Sequence, residues 1–386
     1  MAYFKTPLVS NVILAFFGML LLASFRDSGK ISYFQSPTLI AEADTVVGYA
    51  SMTDGIPDTL FQIRSSGGLP IAYYKKIYTG VCFDNECRML DIVLYWNITG
   101  RYLGFELPEG EFLSKFDHEP FSEDEYKRLH GLLADLLSPL GMFAYNELAP
   151  KPTLEEEVDG ISSATSKDIL EYVVEGAAFT TYTLRNLVYG PIQEEVENLT
   201  RQALSEELVL KILESPDISD KIWALTEIRS NLPLSPTLQD VVLDHINNDN
   251  YSLAERAIHA IAAEELESEA LQMLLLERFY ETDYGIKKLI LDKLKEAPRL
   301  DDQVKANLAE NLRKWEGALL SNVLDLYIAQ KVFDIETCRL VSELLQNENR
   351  YISQKAFNFL ENSGQNDGDI GRELESYRTA SASAMP

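Results

Sequence analysis

SLAERAIHAI (residues 252–261) carries apolar residues at three- and four-residue intervals, the pattern of a helix with one buried face. SDKIWALTEI (219–228), GIKKLILDKL (285–294), ALLSNVLDLY (318–327) and YISQKAFNFL (351–360) stand in register with it at a spacing of 33 residues. The alignment makes Leu225, Ile258, Leu291, Leu324 and Phe357 equivalent. A second apolar pattern precedes each segment: Val209, Val242, Leu275, Leu308 and Val341 keep the same period, as do Leu213, Ile246, Phe279, Leu312 and Leu345. Two helical faces recurring at a constant offset predict stacked helix pairs.

These five units of 33 residues, spanning 196–362, resemble HEAT-like repeats and imply an all-α solenoid. Ankyrin and tetratricopeptide repeats have a similar period, but the TPLH-type turn and the Trp/Leu-Gly/Tyr series are missing here. Solenoids present extended surfaces, so the array is read as a docking surface for a partner protein. Cys338 falls on an apolar helical face and is read as a buried thiol. Residues 363–386, rich in small and polar side chains, are expected to form a flexible tail.

Upstream, the pattern changes. Residues 27–67 read as an irregular N-terminal arm, with RSSGG (64–68) as a linker. IAYYKKIYTGV and RMLDIVLYWNITGRYLGFEL are rich in Ile, Val, Tyr and Trp and predict strands, with Asn97-Ile98-Thr99-Gly100 as a turn. FSEDEYKRLHGLLADLLSPLG predicts a helix with Ser122 as N-cap, Glu125 closing a capping box and Ser138-Pro139 ending it. A further helix is expected from about Ser166 through Phe179. Strands and helices alternate without βαβ regularity, so residues 68–195 are assigned an α+β fold with an antiparallel sheet.

The chain has 386 residues and a net charge of −27, from 34 Lys plus Arg against 61 Asp plus Glu. Such a surface repels phosphate backbones and argues against nucleic-acid binding. The N-terminal segment 1–26 has a basic head and the uncharged run VILAFFGMLLLASF (12–25), read either as a cleaved signal peptide or as a membrane anchor. Either places the body outside the cytoplasm. In that compartment Cys82 and Cys87, flanking FDNE, suit a hairpin disulfide, with a metal pair as the alternative.

The stretch VDGISSATSKDI (158–169) carries the chemistry. Asp159-Gly160-Ile161-Ser162-Ser163-Ala164-Thr165 resembles the flavin-attachment signature of FMN-binding domains, found in sodium-translocating quinone reductase and Rnf subunits. The resemblance covers roughly residues 68–190. It implies that a dedicated flavin transferase joins FMN through its phosphate to the hydroxyl of Thr165. Asp159, Ser162 and Ala164 match the pattern; Ser163 stands where glycine is most usual, and serine restricts the backbone more. A phosphodiester here would sit at a helix N-terminus, where free N–H groups favour an anion. Lys167 adds positive charge against Glu155, Glu156 and Glu157. The competing reading is a plain helix cap, since Ser162, Ser163, Thr165 and Ser166 are all good N-caps.

Trp96, Tyr102 and Phe105 are read either as core or as stacking partners for the flavin ring. His118 is read as a local hydrogen-bonding residue or a flavin contact, and His130, His245 and His259 form no catalytic cluster with it in sequence. The resemblance therefore implies an extracytoplasmic flavoprotein passing electrons between partners. The alternatives are a flavin-free interaction scaffold and a flavin-dependent reductase of a small molecule.

Overall fold

The computed structural model describes residues 3–6, 30–53, 56–80, 89–115, 118–144, 147–148, 169–315, 317–365 and 368–383. The expectations on the apolar run 12–25, on Cys82 and Cys87, and on the 159–165 motif lie outside the described residues. The chain divides into two units, Met1–Asp220 and Lys221–Pro386.

The first unit is built on a seven-stranded antiparallel sheet: β1 (Tyr3–Thr6), β2 (Ser32–Phe34), β3 (Ala43–Thr53), β4 (Ile56–Ser65), β5 (Pro70–Thr79), β6 (Leu90–Trp96) and β7 (Tyr102–Glu106). The spatial order is β1-β3-β4-β5-β6-β7-β2. The region read as an arm and linker is thus largely sheet. RSSGG is the β4–β5 hairpin turn, where Gly68 adopts φ 81° and donates its N–H to the Ser65 carbonyl at 2.8 Å. Hydropathy hid β3 and β4 because their inward positions include polar groups, as do those of the expected β5. Ser51, Gln62 and Lys75 are all buried, and each is hydrogen-bonded, as buried polar groups must be.

Asn97–Gly100 makes the expected turn between β6 and β7, with Gly100 at φ 79° and its N–H on the Asn97 carbonyl at 3.0 Å. Helix α1 (Glu123–Ala134) starts at Ser122, and both halves of its capping box with Glu125 are formed. The helix expected over 166–179 is not formed over residues 169–177. Leu170–Tyr172 is a single 3-10 turn, Val173 is extended, and Gly176 takes φ 72°. Helix α2 begins only at Ala178 and runs to Val188, followed by α3 (Pro191–Gln202) and α4 (Glu206–Leu213). Val173 and Val174 are fully buried, so packing of the extended chain overrides helix propensity there.

Helices α5 (Ile218–Asn231), α7 (Tyr251–Ala260), α9 (Tyr284–Leu294), α11 (Gly317–Ala329) and α13 (Arg350–Ser363) start 33 residues apart. The intervening α6 (Pro236–Ile246), α8 (Glu269–Glu281), α10 (Asp302–Glu310) and α12 (Ile335–Ser342) keep the same spacing. Their N-caps Ser235, Ser268, Asp301 and Asp334 each accept a backbone N–H from the first turn, which fixes where each helix begins. In the second unit α7 packs on α9, α9 on α11 and α11 on α13, while α6, α8 and α12 each pack on the helix that follows them. Side-chain-to-backbone bonds lock neighbouring units: Lys293 Nζ donates to the Ile261 carbonyl at 3.0 Å, and Gln365 Nε2 to that of Phe333 at 3.1 Å.

The segment expected to be a flexible tail instead forms helix α14 (Gly368–Ser383). Ile370 and Leu374 are buried, and Tyr377 stacks on Phe357 at 5.2 Å between ring centroids. Their four-residue spacing gives α14 one apolar face, which composition alone did not reveal. Cys338 on α12 is fully buried, as expected, and burial raises its thiol pKa. Among the described residues no helix is long and apolar enough to cross a membrane.

Candidate functional site

The proposed acceptor Thr165 and its neighbours Asp159, Gly160, Ser162, Ser163 and Ala164 lie outside the described residues, but the chain on either side is firmly placed. Leu148 and Ile169 are both buried in one apolar cluster with Leu140, Val173 and Ala178, and Phe143, Tyr172, Phe179 and Tyr182 pack against it. Arg128 of α1 ties the returning segment down: its Nε donates to the Val173 carbonyl at 3.0 Å and its Nη2 to that of Glu171 at 3.0 Å. Tyr182 donates to the Phe143 carbonyl at 2.9 Å. Thr165 is four residues from Ile169 in sequence, so chain length alone holds it within about 14 Å of that anchor.

Arg185 of α2 lies beside this cluster and is 7% exposed. Its Nη2 donates to the carbonyls of Leu136 (3.2 Å) and Ser138 (2.9 Å), and its guanidinium covers the Tyr189 ring at 4.6 Å. Tyr189 is itself fixed by donating to the Leu133 carbonyl at 2.6 Å; burial pushes its hydroxyl up to about 12 despite the lowering effect of Arg185. Nε and Nη1 of Arg185 are buried without an acceptor, an uncommon and costly state for a charged donor. A Cβ on Gly141 would stand 3.6 Å from Nε, so the guanidinium faces a backbone position with no side chain. The same loop turns three apolar side chains outward: Leu136, Leu137 and Met142 are 55%, 88% and 88% exposed.

An anionic group joined to a flat apolar body fits this combination of unpaired buried donors and exposed apolar side chains. The sequence reading missed Arg185, although a signal exists. Thr181, Leu184, Arg185 and Val188 occupy i, i+3, i+4 and i+7 of α2, so the arginine falls on the face the helix buries.

No known protein family, curated protein or solved structure matches this chain.

The aromatic residues considered as ring-stacking partners are core. Trp96, Tyr102 and Phe105 are fully buried. Trp96 Nε1 donates to the Val188 carbonyl at 2.9 Å, and the Tyr102 hydroxyl is 3.1 Å from His130 Nδ1. Burial lowers the pKa of His130 and raises that of Tyr102. His118 is exposed and holds a turn at φ 65°, its N–H on the Lys115 carbonyl at 3.0 Å.

A second polar cluster joins the sheet to α3. Lys75 Nζ lies 3.0 Å from Ser51 Oγ and 3.2 Å from Asp58 Oδ2, and Ser51 Oγ donates to Glu195 Oε2 at 2.5 Å. A hydroxyl beside a lysine has the parts of a nucleophile and base. Here the ammonium is shared between hydroxyl and carboxylate, the hydroxyl proton points at Glu195, and Lys75 is fully buried. This arrangement fastens α3 to the sheet. An open groove of about 540 Å³ along α3 is lined by Glu194, Glu195, Arg201, Asn198, Gln202 and Leu199 with Pro191, a mixed surface in which Arg201 offsets part of the acidic charge. No metal-binding cluster occurs among the described residues.

Proposed function

We infer that this chain is an extracytoplasmic flavoprotein carrying FMN on Thr165 and passing electrons between partner proteins. The observation that carries this reading is the Asp159-Gly160-Ile161-Ser162-Ser163-Ala164-Thr165 series. Its similarity to the attachment signature of FMN-binding domains is supported by its place in the sequence, after the strands of an antiparallel sheet and between Leu148 and Ile169, which share one apolar cluster. Attachment forms a phosphorus–oxygen bond at the Thr165 hydroxyl. The donor must therefore carry an activated phosphate, such as the anhydride of a flavin dinucleotide, whose nucleoside monophosphate leaves as the Thr165 proton is released. The net addition is one FMN less one water.

When bound, the flavin ring supplies one- or two-electron transfer. The chain's own residues tether and orient it; Leu148 and Ile169 limit its range, and Arg185 with the outward side chains of 136–142 offers it a resting place. The helix pairs of the second unit are a HEAT-like solenoid in this reading and dock the redox partner. Segment 1–26 directs or anchors the body outside the cytoplasm, where Cys82 and Cys87 pair. The regular helical array also favours a second reading, a flavin-free interaction scaffold.

Intact-mass measurement decides between the two. Co-expression with a flavin transferase adds one FMN less one water to the wild-type chain and nothing to Thr165→Ala. An unchanged mass in both, including Ser163→Gly, leaves the scaffold. If the loaded protein is reoxidised by small molecules alone, it is a reductase.

A further inference from the structure

We propose that Arg185 and the 136–142 loop form the docking site of the tethered flavin: Arg185 takes the phosphodiester, and Leu136, Leu137 and Met142 take the ring. This rests on the reading of Thr165 as the attachment point. Arg185 is a permanent cation, buried, oriented by two backbone carbonyls and the Tyr189 ring, and left with two unpaired nitrogens. A permanent anion is the matching partner. The phosphodiester is charged in every redox state of the cofactor, whereas the ring is neutral when oxidised, so the phosphate is assigned to the arginine. The ring then needs an apolar surface within reach. Leu137 and Met142 are among the most exposed large apolar side chains described in the protein, at 88% each, and Leu136 adjoins them. Leu140 of the same loop shares a cluster with Ile169, and Thr165 is held within about 14 Å of Ile169 by chain length. Ile169, four residues after the attachment point, therefore packs with the loop that carries both halves of the site.

The test separates this inference from the attachment reading. Purified Thr165→Ala protein, which cannot be loaded covalently, is titrated with free FMN and with riboflavin while flavin fluorescence is followed. FMN should bind, and Arg185→Gln should weaken it by roughly tenfold or more, the scale of a lost charge-assisted contact. Riboflavin, which lacks the phosphate, should bind with the same affinity to both proteins. Leu137→Ser combined with Met142→Ser, both outward-facing and safe for folding, should weaken FMN and riboflavin alike. Equal FMN affinity with and without Arg185, an effect on riboflavin equal to that on FMN, or no effect of the loop pair overturns the assignment. So does absence of FMN binding to the Thr165→Ala chain. Intact mass of the wild type reports separately on attachment. Arg185→Lys, checked by circular dichroism, guards against a folding defect: it keeps the charge and should recover part of the FMN affinity.

Discussion

Arg101 grips Asp220 side-on: Nε lies 3.2 Å from Oδ1 and Nη2 2.9 Å from Oδ2, across 119 residues of sequence. Asp220 is fully buried and also accepts from Thr99 Oγ1 at 2.6 Å and Ser215 Oγ at 2.8 Å. The β6–β7 turn is thereby joined to Ser215 and Asp220 at the end of the first unit.

Asp220→Ala should cost about 3 kcal/mol, the lower end for breaking a buried pair, because Arg101 keeps some contact with water. Urea unfolding at neutral pH checks the value. Burial raises the Asp220 pKa, but Arg101, Thr99 and Ser215 outweigh it and leave the carboxyl below its usual value. The contribution is therefore complete above about pH 4 and is lost as pH falls through the folded-state value. The difference between wild type and Asp220→Asn should shrink in that acid range and stay constant above it.

His130 gives a second pH dependence in a separate window. Burial against Tyr33, Tyr102 and Phe105 keeps it neutral and lowers its pKa. The unfolded chain takes up a proton at about pH 6.5, so stability falls with acidity below that point and is unaffected above it. His130→Phe should lose this component between pH 7.5 and 5.5 in denaturant titrations. An unaltered pH slope in the variant contradicts the assignment.

Gln330 makes four side-chain hydrogen bonds among the described residues of the helical unit. Its Nε2 donates to the carbonyls of Leu294, Lys295 and Ala297 at 3.2, 3.0 and 2.9 Å, and its Oε1 accepts from Leu300 N–H at 3.2 Å. Gln330→Ala should cost about 2 kcal/mol through unpaired backbone groups. Hydrogen exchange should quicken first over residues 294–300, with α6 and α7 unchanged.

Gly104 is required by close approach. A Cβ there would meet the Tyr33 carbonyl oxygen and come within 2.5 Å of Phe34 Cδ1. Gly104→Ala should cost about 2 kcal/mol, the range of overpacking, by loosening β2 from β7. The Tyr33 amide should then exchange at a rate near that of an unprotected strand.

The helical half was legible in sequence because each unit repeats the same burial decisions. Val242, Leu275, Leu308 and Val341 are all fully buried at equivalent positions. Leu225, Ile258, Leu291 and Leu324 are buried in the other register; Phe357 shares that register but is only partly buried, since α14 covers it and not another copy of the repeat. Strands β3 and β4 were illegible for the opposite reason. Their buried side chains include Ser51, bonded to Lys75 and Glu195, and Gln62, bonded to Tyr49, Arg64 and Tyr73, polar positions that hydropathy counts as surface. Arg185 escaped notice similarly, because a charged residue on a buried face looks like noise until its unpaired nitrogens are placed. The helix after the motif failed at Gly176 and the buried Val173–Val174 pair, where tertiary packing decides.

The constant 33-residue step between helix starts makes length a quantised property of this chain. Losing one whole unit, such as 269–301, would bring each remaining helix back to an equivalent neighbour and keep its buried face inward. A loss three residues shorter, with its junction inside a helix, would turn the rest of that helix by roughly 300° and carry charged side chains toward the core. Gene rearrangement can therefore lengthen or shorten the array only in full strides, and an inventory of viable lengths would read like the marks on a ruler.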